Sequence, residues 1–420
     1  MFYGECHLWA SPPGDRAAAA GASRSHQPGG DRAEGAHRPP RHDRSPADPD
    51  DALARGGAIW VCGPWAHPFG RTRAGRARVN VYHETEIIPV AWEGCVANHP
   101  QATPFHDWRW RQVYQRVFGY RLSYLAAGPA PDDLVALFPL VVVPGLLGGR
   151  SLVSLPIVGY AGLLADSAEV EAILWRGAVA QCEALGAVKI ETHQRARLTA
   201  DLPTQGHKFT TVVPIGPTAE ETWQGQLGQK VRNKIRKARK EGIEVRRGLD
   251  GLRDFYRVYR VNVRDLGSPT PPLVWFAEIA AAFPGACQVY TAFSGGSCIA
   301  GKLTLRFRDT LYFLWAGALR SHIKSGVVSL LNWEAIEEAV AAGCIAVDFG
   351  RSTEGSGAAD YKKEWRGEKV PLYWQYHLPG GGDVNGAGPG KVTLALSDLW
   401  KRTPLLITNA LGPRLAKYFP

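Results

Sequence analysis

From residue 82 onward the apolar positions follow two alternating rhythms. The segment FHDWRWRQVYQRVF (residues 105–118) sets Trp108, Trp110, Val113, Tyr114 and Val117 at helical spacing, and the strand-like runs RLSYLAA and LVALFPLVVV follow it. After SLPIVGYAGLLADS, the run AEVEAILWRGAVAQCEAL predicts a helix that ends at Gly186 and feeds a short strand, AVKIET. The order then repeats. Helices are predicted for LRDFYRVYRVNVRDL and LVWFAEIAAAF, strands for ACQVYTAF, SCIAGKLTLRF and TLYFLWAGA, a helix for VVSLLNWEAIEEAVAA and a strand for CIAVDFG. The closing pieces match each other: ALGAVKIE (residues 184–191) and AAGCIAVD (residues 341–348) share a helix-ending glycine, a buried strand and a terminal carboxylate, which duplication explains economically. Strands alternating with helices predict an α/β (α+β) fold with mixed central sheets, not a bundle or a sandwich.

Thr218 with Glu221 forms a T-x-x-E capping signal, so a helix is predicted after Pro217, carrying Trp223, Leu227, Val231, Ile235 and Ala238 toward the core; Gly225 and Gly228 divide it in two.

Length and composition set the scale. The 420 residues, 45% hydrophobic and 10% aromatic, suffice for a large core and favour two units. The most apolar stretch, residues 134–149, carries Pro139 and Pro144, so it reads as strand, turn and loop and not as a membrane span. Seven widely spaced cysteines without a CxxC pair predict reduced thiols and neither a metal nor a redox cofactor. The predicted location is cytoplasmic, with at most peripheral association with the inner membrane and no stable insertion.

Residues 1–78 are rich in Arg, Ala, Gly, Pro and His without periodicity. They are expected to be a disordered or mis-annotated extension, because Met1 is the sole methionine and translation starting near Val79 or Val81 would remove it. The net charge of +10 favours polyanionic partners.

Three segments carry a family likeness. KVRNKIRKARKEGIEV (residues 230–245), VDFGRSTEGSGAADYKKEWRG (347–367) and WKRTPLLITNALGPRLAKYFP (400–420) resemble FemAB-like proteins of the GNAT superfamily associated with PEP-CTERM and exosortase systems. The resemblance implies tandem GNAT-like halves at residues 82–205 and 206–378, with a tail at 379–420 whose short helix packs on the core. It also implies transfer of an acyl or aminoacyl group to an amine of a cell-envelope or exopolysaccharide precursor. Acyl-CoA is the implied donor and co-substrate, and a small-molecule, nucleotide-linked or lipid-linked sugar is the implied acceptor. The rival readings are an aminoacyl-tRNA-dependent peptidyltransferase of the peptidoglycan-bridge type, with tRNA as partner, and a non-catalytic basic module that binds nucleic acid. The basic run lacks the interleaved aromatics on which single-strand binders stack bases, which counts against the last.

Four sets of residues are candidates for the chemistry. Lys230, Arg232, Arg236 and Arg239 crowd a stretch with no acid before Glu241, which suits phosphate; a solvated amphipathic helix is the plain alternative. Tyr361 and Lys362 match the aromatic-lysine pair of the family's F-K-x-x-[FW]-G motif, in which the resemblance implies that the lysine stabilises negative charge on the reacting carbonyl. Here Arg366 is inserted between Trp365 and Gly367, which leaves Lys363 a rival to Lys362. Asp348 is a further catalytic candidate, and Arg351 a substrate-binding one that is also placed to pair with Asp348 and shape the loop. Lys324, Ser325 and Gly326 open the helix before CIAVDFG, the position that binds the cofactor's pyrophosphate in GNAT enzymes; an ordinary serine-capped helix fits as well. His193, His207, His322 and His377 show no metal spacing.

Overall fold

The computed structural model describes residues 78–146, 148–381 and 391–418. Apart from Arg78, the extension expected over residues 1–78 lies outside the described residues.

The chain opens with β1 (Asn80–His83), α1 (Pro89–Asn98) and α2 (Trp110–Phe118), then β2 (Arg121–Leu122), β3 (Leu125–Gly128), β4 (Ala136–Phe138), β5 (Val141–Pro144), β6 (Arg150–Val153) and β7 (Leu164–Ala165). Pro139 breaks the apolar run of residues 134–143 into β4 and β5, which enter different sheets. The helix α3 (Ala168–Ala184) is capped by the Ser167 hydroxyl, which accepts from the Val170 amide. It stops at Gly186, whose φ of 58° suits glycine, before β8 (Ile190–Gln194).

The second stretch contains β9 (Thr204–Pro214), α4 (Ala219–Glu221), α5 (Gln229–Lys240), β10 (Glu244–Arg247), α6 (Leu252–Asp265), α7 (Leu273–Ala282), β11 (Cys287–Ser294), β12 (Ser297–Phe307), β13 (Thr310–Ala318), α8 (Val327–Ala341), β14 (Ala346–Thr353), α9 (Gly357–Lys363) and β15 (Glu368–His377). The tail forms α10 (Lys391–Arg402) and α11 (Leu405–Leu415). As the sequence predicts, the Thr218 hydroxyl accepts from the Glu221 amide, and the helix is then interrupted before α5, whose N-cap is Gly228.

Eleven strands form one sheet in the order β10-β11-β12-β13-β14-β9-β15-β8-β6-β5-β2, and β1, β3, β4 and β7 form a second. Neighbours are antiparallel except at two places. β13 pairs parallel with β14 through Thr310↔Ala346, Leu311↔Val347 and Tyr312↔Asp348, and β6 pairs parallel with β8 through Leu152↔Ile190 and Val153↔Glu191. In both cases a helix makes the crossover and the paired stretch ends at the carboxylate that the sequence alignment matched, so the repeat is also a repeat of topology. The junction expected between residues 205 and 206 falls in β9.

α6 packs against β12 and β13, as does α8. Wholly buried Trp110 of α2 meets Trp275 of α7 at 5.9 Å between ring centroids, so the N-terminal helices share a core with the second stretch. Burying an aromatic of this kind contributes about 1.5–3 kcal/mol through apolar area alone. Among the described residues no helix is long and apolar enough to cross a membrane.

Candidate functional site

The parallel pair β13/β14 is short, and its ending makes the site. Beyond Tyr312↔Asp348, β13 stays paired with β12 as far as Ala318, while β14, paired with β9 from Ala346 onward, shifts its register on β9 between Asp348 and Arg351. The turn occurs at Gly350, which has a φ of 73° and whose missing Cβ would lie 3.0 Å from the Phe313 carbonyl, so glycine is required there. The strands part, and a cavity of about 100 Å³ opens between Phe313–Ala316 and Phe349–Arg351. α6 contributes Tyr259 and Val263 to its wall, α9 contributes Ala358, and the N-terminal stretch contributes Phe105 and residues 157–160. The chain that leads into that last segment is held under backbone strain: Leu155 and Ile157 are non-glycine residues at φ 45° and 75°.

An apolar cleft of this kind holds few polar groups, and each is fixed. Asp348 is buried and accepts three hydrogen bonds, from the Tyr160 hydroxyl, the Thr210 hydroxyl and the Gly350 amide, the last at 2.7 Å. Burial, with Asp348 adding to it, pushes the Tyr160 phenol well above the ordinary tyrosine value, so it stays protonated. Lys362 is buried on α9 and donates to the carbonyls of Gly350 at 2.7 Å and Arg351 at 3.1 Å. Tyr361 beside it receives a bond from Asn332 at 3.1 Å and lies 3.3 Å from the Ser329 hydroxyl.

Lys302, at the centre of β12, is only 4% exposed. Its ammonium donates to the Asn332 amide oxygen and sits 3.3 Å from the centroid of the Phe313 ring. Its position is marked in the sequence, where it is the lone charge in the apolar core of the run SCIAGKLTL. Tyr160, Thr210 and Asn332 carried no such sign, since only the fold brings them to Asp348 and Tyr361.

The inserted Arg366 resolves the register. It takes a φ of 56° and closes a turn onto Lys363, which leaves Trp365 wholly buried, Lys362 facing inward and Lys363 exposed and paired with Asp360 at 3.1 Å. Two expectations are corrected. Arg351 does not pair with Asp348; its guanidinium lies 5.0 Å from the Trp374 ring, and the hydroxyls and the turn amide around Asp348 do that work. The glycine-rich segment is also more ordered than a loop, because Ser356 caps α9 by accepting from the Ala359 amide.

The basic run meets counter-charges both near and far along the chain, the near one being Glu241, 3.7 Å from Lys237. Lys230 and Lys234 both grip Glu364, at 2.7 and 2.5 Å, and Arg239 reaches Glu334 and Glu337 on α8 at 3.0 and 3.4 Å. Burial opposes the charge on Glu364, yet the two lysines outweigh it and hold the carboxyl below its ordinary range. Arg232 turns back to the Trp223 carbonyl and Arg236 lies 5.5 Å from the Trp223 ring. None of these cations lines the cleft.

The start of α8 lies against α5. Gly326, at φ 87°, backs so closely onto the Lys234 carbonyl that a Cβ would come within 2.3 Å, and Lys237 donates to the Lys324 carbonyl at 2.7 Å. The Ser325 hydroxyl accepts from the Val327 amide at 3.3 Å, while Gly326 and not the serine holds the N-cap position. Two motifs far apart in sequence, the basic run and the K-S-G turn, thus meet in space.

A model of the acetyltransferase (GNAT) domain matches residues 226–363, which contain the whole β13/β14 opening. The crystal structure of FemX is similar at 14% identity with a TM-score of 0.55, the match covering 70% of this chain and 96% of FemX. L-PGS from Bacillus licheniformis is similar at 12% identity, TM-score 0.48, over 76% of this chain and 98% of that one. A tandem GNAT protein from the clavulanic acid biosynthesis pathway is similar at 10% identity, TM-score 0.46, over 73% and 100%. No curated protein matches the sequence. The fold is α/β with mixed sheets and similar to that of FemX, and the match of residues 226–363 to the acetyltransferase (GNAT) domain supports N-acyl transfer at a general level.

Proposed function

We propose that the chain transfers an acyl group from acyl-CoA to an amine, with the thioester lying in the opening between β13 and β14. The observation that carries this reading is the parting of those strands after Tyr312↔Asp348, which leaves one edge of β13 facing a cavity. A strand edge of this kind offers amide and carbonyl groups to an extended, amide-bearing ligand. The phosphates of the donor would lie toward Lys324, Ser325 and Gly326, where α8 begins and Lys237 adds charge. Arg351, on the cleft wall, would meet a phosphate of the acceptor.

The amine nitrogen attacks the thioester carbonyl, the carbon–sulfur bond breaks, and the thiolate of CoA takes up the proton that the amine loses. Negative charge builds on the carbonyl oxygen meanwhile, and the lysines of this water-poor cleft favour it. Lys362 and Tyr361 act beside the β14 wall, and Asp348 keeps the Tyr160 hydroxyl aimed and protonated.

The acceptor class, an amino group on a cell-envelope or exopolysaccharide precursor, rests on the likeness of the three sequence segments to FemAB-like proteins. A tRNA donor is disfavoured because much of the positive face of α5 is spent on Glu364, Glu334 and Glu337. The test is release of free CoA thiol from acetyl-CoA by the full chain, with amino sugars, nucleotide-linked amino sugars and lysine peptides as acceptors. Release that requires one class of amine is expected. An intact thioester with every amine, together with turnover of an aminoacyl-tRNA, would overturn the reading.

A further inference from the structure

The tail helix α11 is built inside out. The face it lays on the protein carries small residues: Thr408, Gly412 and Ala416 are buried, and a Cβ on Gly412 would come within 3.1 Å of the Thr270 amide nitrogen. The face it turns to solvent carries large ones, with Leu406 83% exposed and Ile407 and Leu411 beside it. Surface helices of soluble proteins do the reverse. α10 adds Leu396 and Leu399, the latter 63% exposed, and both helices are seated on α6. Five of the twelve large hydrophobic side chains exposed among the described residues lie in these two helices. Polar bonds hold the tail in place, from Tyr120 to the Lys417 carbonyl at 2.6 Å and from Arg264 to the Thr403 carbonyl at 3.3 Å, so the apolar face is presented rather than frayed.

The charge around this face is one-sided. Between residues 396 and 418 stand Lys401, Arg402, Arg414 and Lys417 against a single acid, Asp398, which Lys401 already holds at 2.8 Å. Arg414 follows Ala410 by one turn on the exposed side of α11, among the leucines. Trp400 and Tyr418, amphipathic aromatics of the kind that settle at lipid headgroups, are half-buried in the same tail. A second copy of the chain is a poor cover, because an isologous contact would set one cationic rim against another.

We propose that α10 and α11 form a docking face for an anionic bilayer surface, the leucines entering the headgroup boundary and Arg402, Arg414 and Lys417 meeting lipid phosphates. The tail lies on the membrane, since neither helix is long enough to cross it.

Sedimentation of the full chain with vesicles of phosphatidylcholine, alone or with about one lipid in three replaced by phosphatidylglycerol, tests this. The chain is expected to sediment with the anionic vesicles. The variant Leu406→Ser/Ile407→Ser/Leu411→Ser, with its thermal midpoint unchanged, is expected to partition about tenfold less. Arg402→Gln/Arg414→Gln is expected to lose about fivefold per charge on the anionic vesicles and little on the neutral ones. The proposal is overturned if the wild-type chain stays in solution with both vesicles or if the serine variant sediments like wild type. It is equally overturned if the serine variant merely converts a self-associated chain to monomer without changing vesicle binding, since the cover is then another copy.

Discussion

Lys302→Met is expected to fold at least as stably as the wild-type chain and to lose about a hundredfold in turnover. The two halves of that expectation have one cause. An ammonium at 4% exposure has given up most of its hydration, which the Asn332 amide oxygen and the face of Phe313 replace in part. Replacing a buried charge with an unbranched apolar side chain of similar length is often neutral or stabilising. Asn332 loses one partner but keeps its bond to the Tyr361 hydroxyl, and the cavity beside it can admit a water. Turnover falls because the cleft loses a fixed cation where negative charge develops, and one such preorganised donor contributes roughly 10²- to 10³-fold. Lys302→Arg should not restore the rate, because the planar guanidinium does not fit the space over the Phe313 ring. Thermal melting and kcat measured on the same preparations check both halves; wild-type turnover in Lys302→Met would remove this lysine from the chemistry.

Lys362→Ala should lower kcat by roughly 10²- to 10³-fold and also lower stability by about 1–3 kcal/mol. The sequence alone suggests the first effect with little of the second. The difference lies in where the ammonium goes: it is bonded to the carbonyls of Gly350 and Arg351, the stretch of β14 that forms the cleft wall. Alanine leaves those acceptors short of a partner at the turn that parts the strands, so the wall loosens as the charge disappears. Lys363→Ala removes only an exposed pair with Asp360 and should stay within about 0.5 kcal/mol of wild type with full activity. Lys362→Arg should recover part of the stability and little of the rate. Unchanged stability and full activity in Lys362→Ala would remove the motif from both roles.

The parts of the fold governed by periodicity were legible before any coordinates. β12 and β13 run over the very residues that alternation marks out, and α3, α6, α7 and α8 agree to within a residue or so. The missed elements are those whose local signals point elsewhere. β15 carries Pro371 in a strand paired on both sides, where proline argues against a strand, and its register slips beside it between Leu372 and Trp374. β10 is a charged edge strand, Glu-Val-Arg-Arg, without an apolar face. α9 hides behind the glycines at 355 and 357, and only its Ser356 cap announces it.

The site divides in the same way. Tyr361, Lys362 and Asp348 stand together in the cleft because one strand and one short helix carry them, and the segment of family likeness, residues 347–367, spans both. The distant counter-charges of α5 were invisible because Glu364, Glu334 and Glu337 lie about a hundred residues further on. Tyr160 was invisible because a strained loop with no periodicity delivers it to Asp348.

Occupation of the opening between β13 and β14 by the donor is read directly by backbone hydrogen exchange of the full chain with and without saturating CoA. CoA carries the amide-bearing arm common to every acyl-CoA, so the identity of the acyl group does not matter. Slower exchange is expected across residues 313–316 and 349–351 and at the start of α8, with residues 229–233 of α5 little changed. Bound CoA that leaves 313–316 and 349–351 exchanging at their free rates, while protecting α5 or another surface, would contradict occupation of the opening.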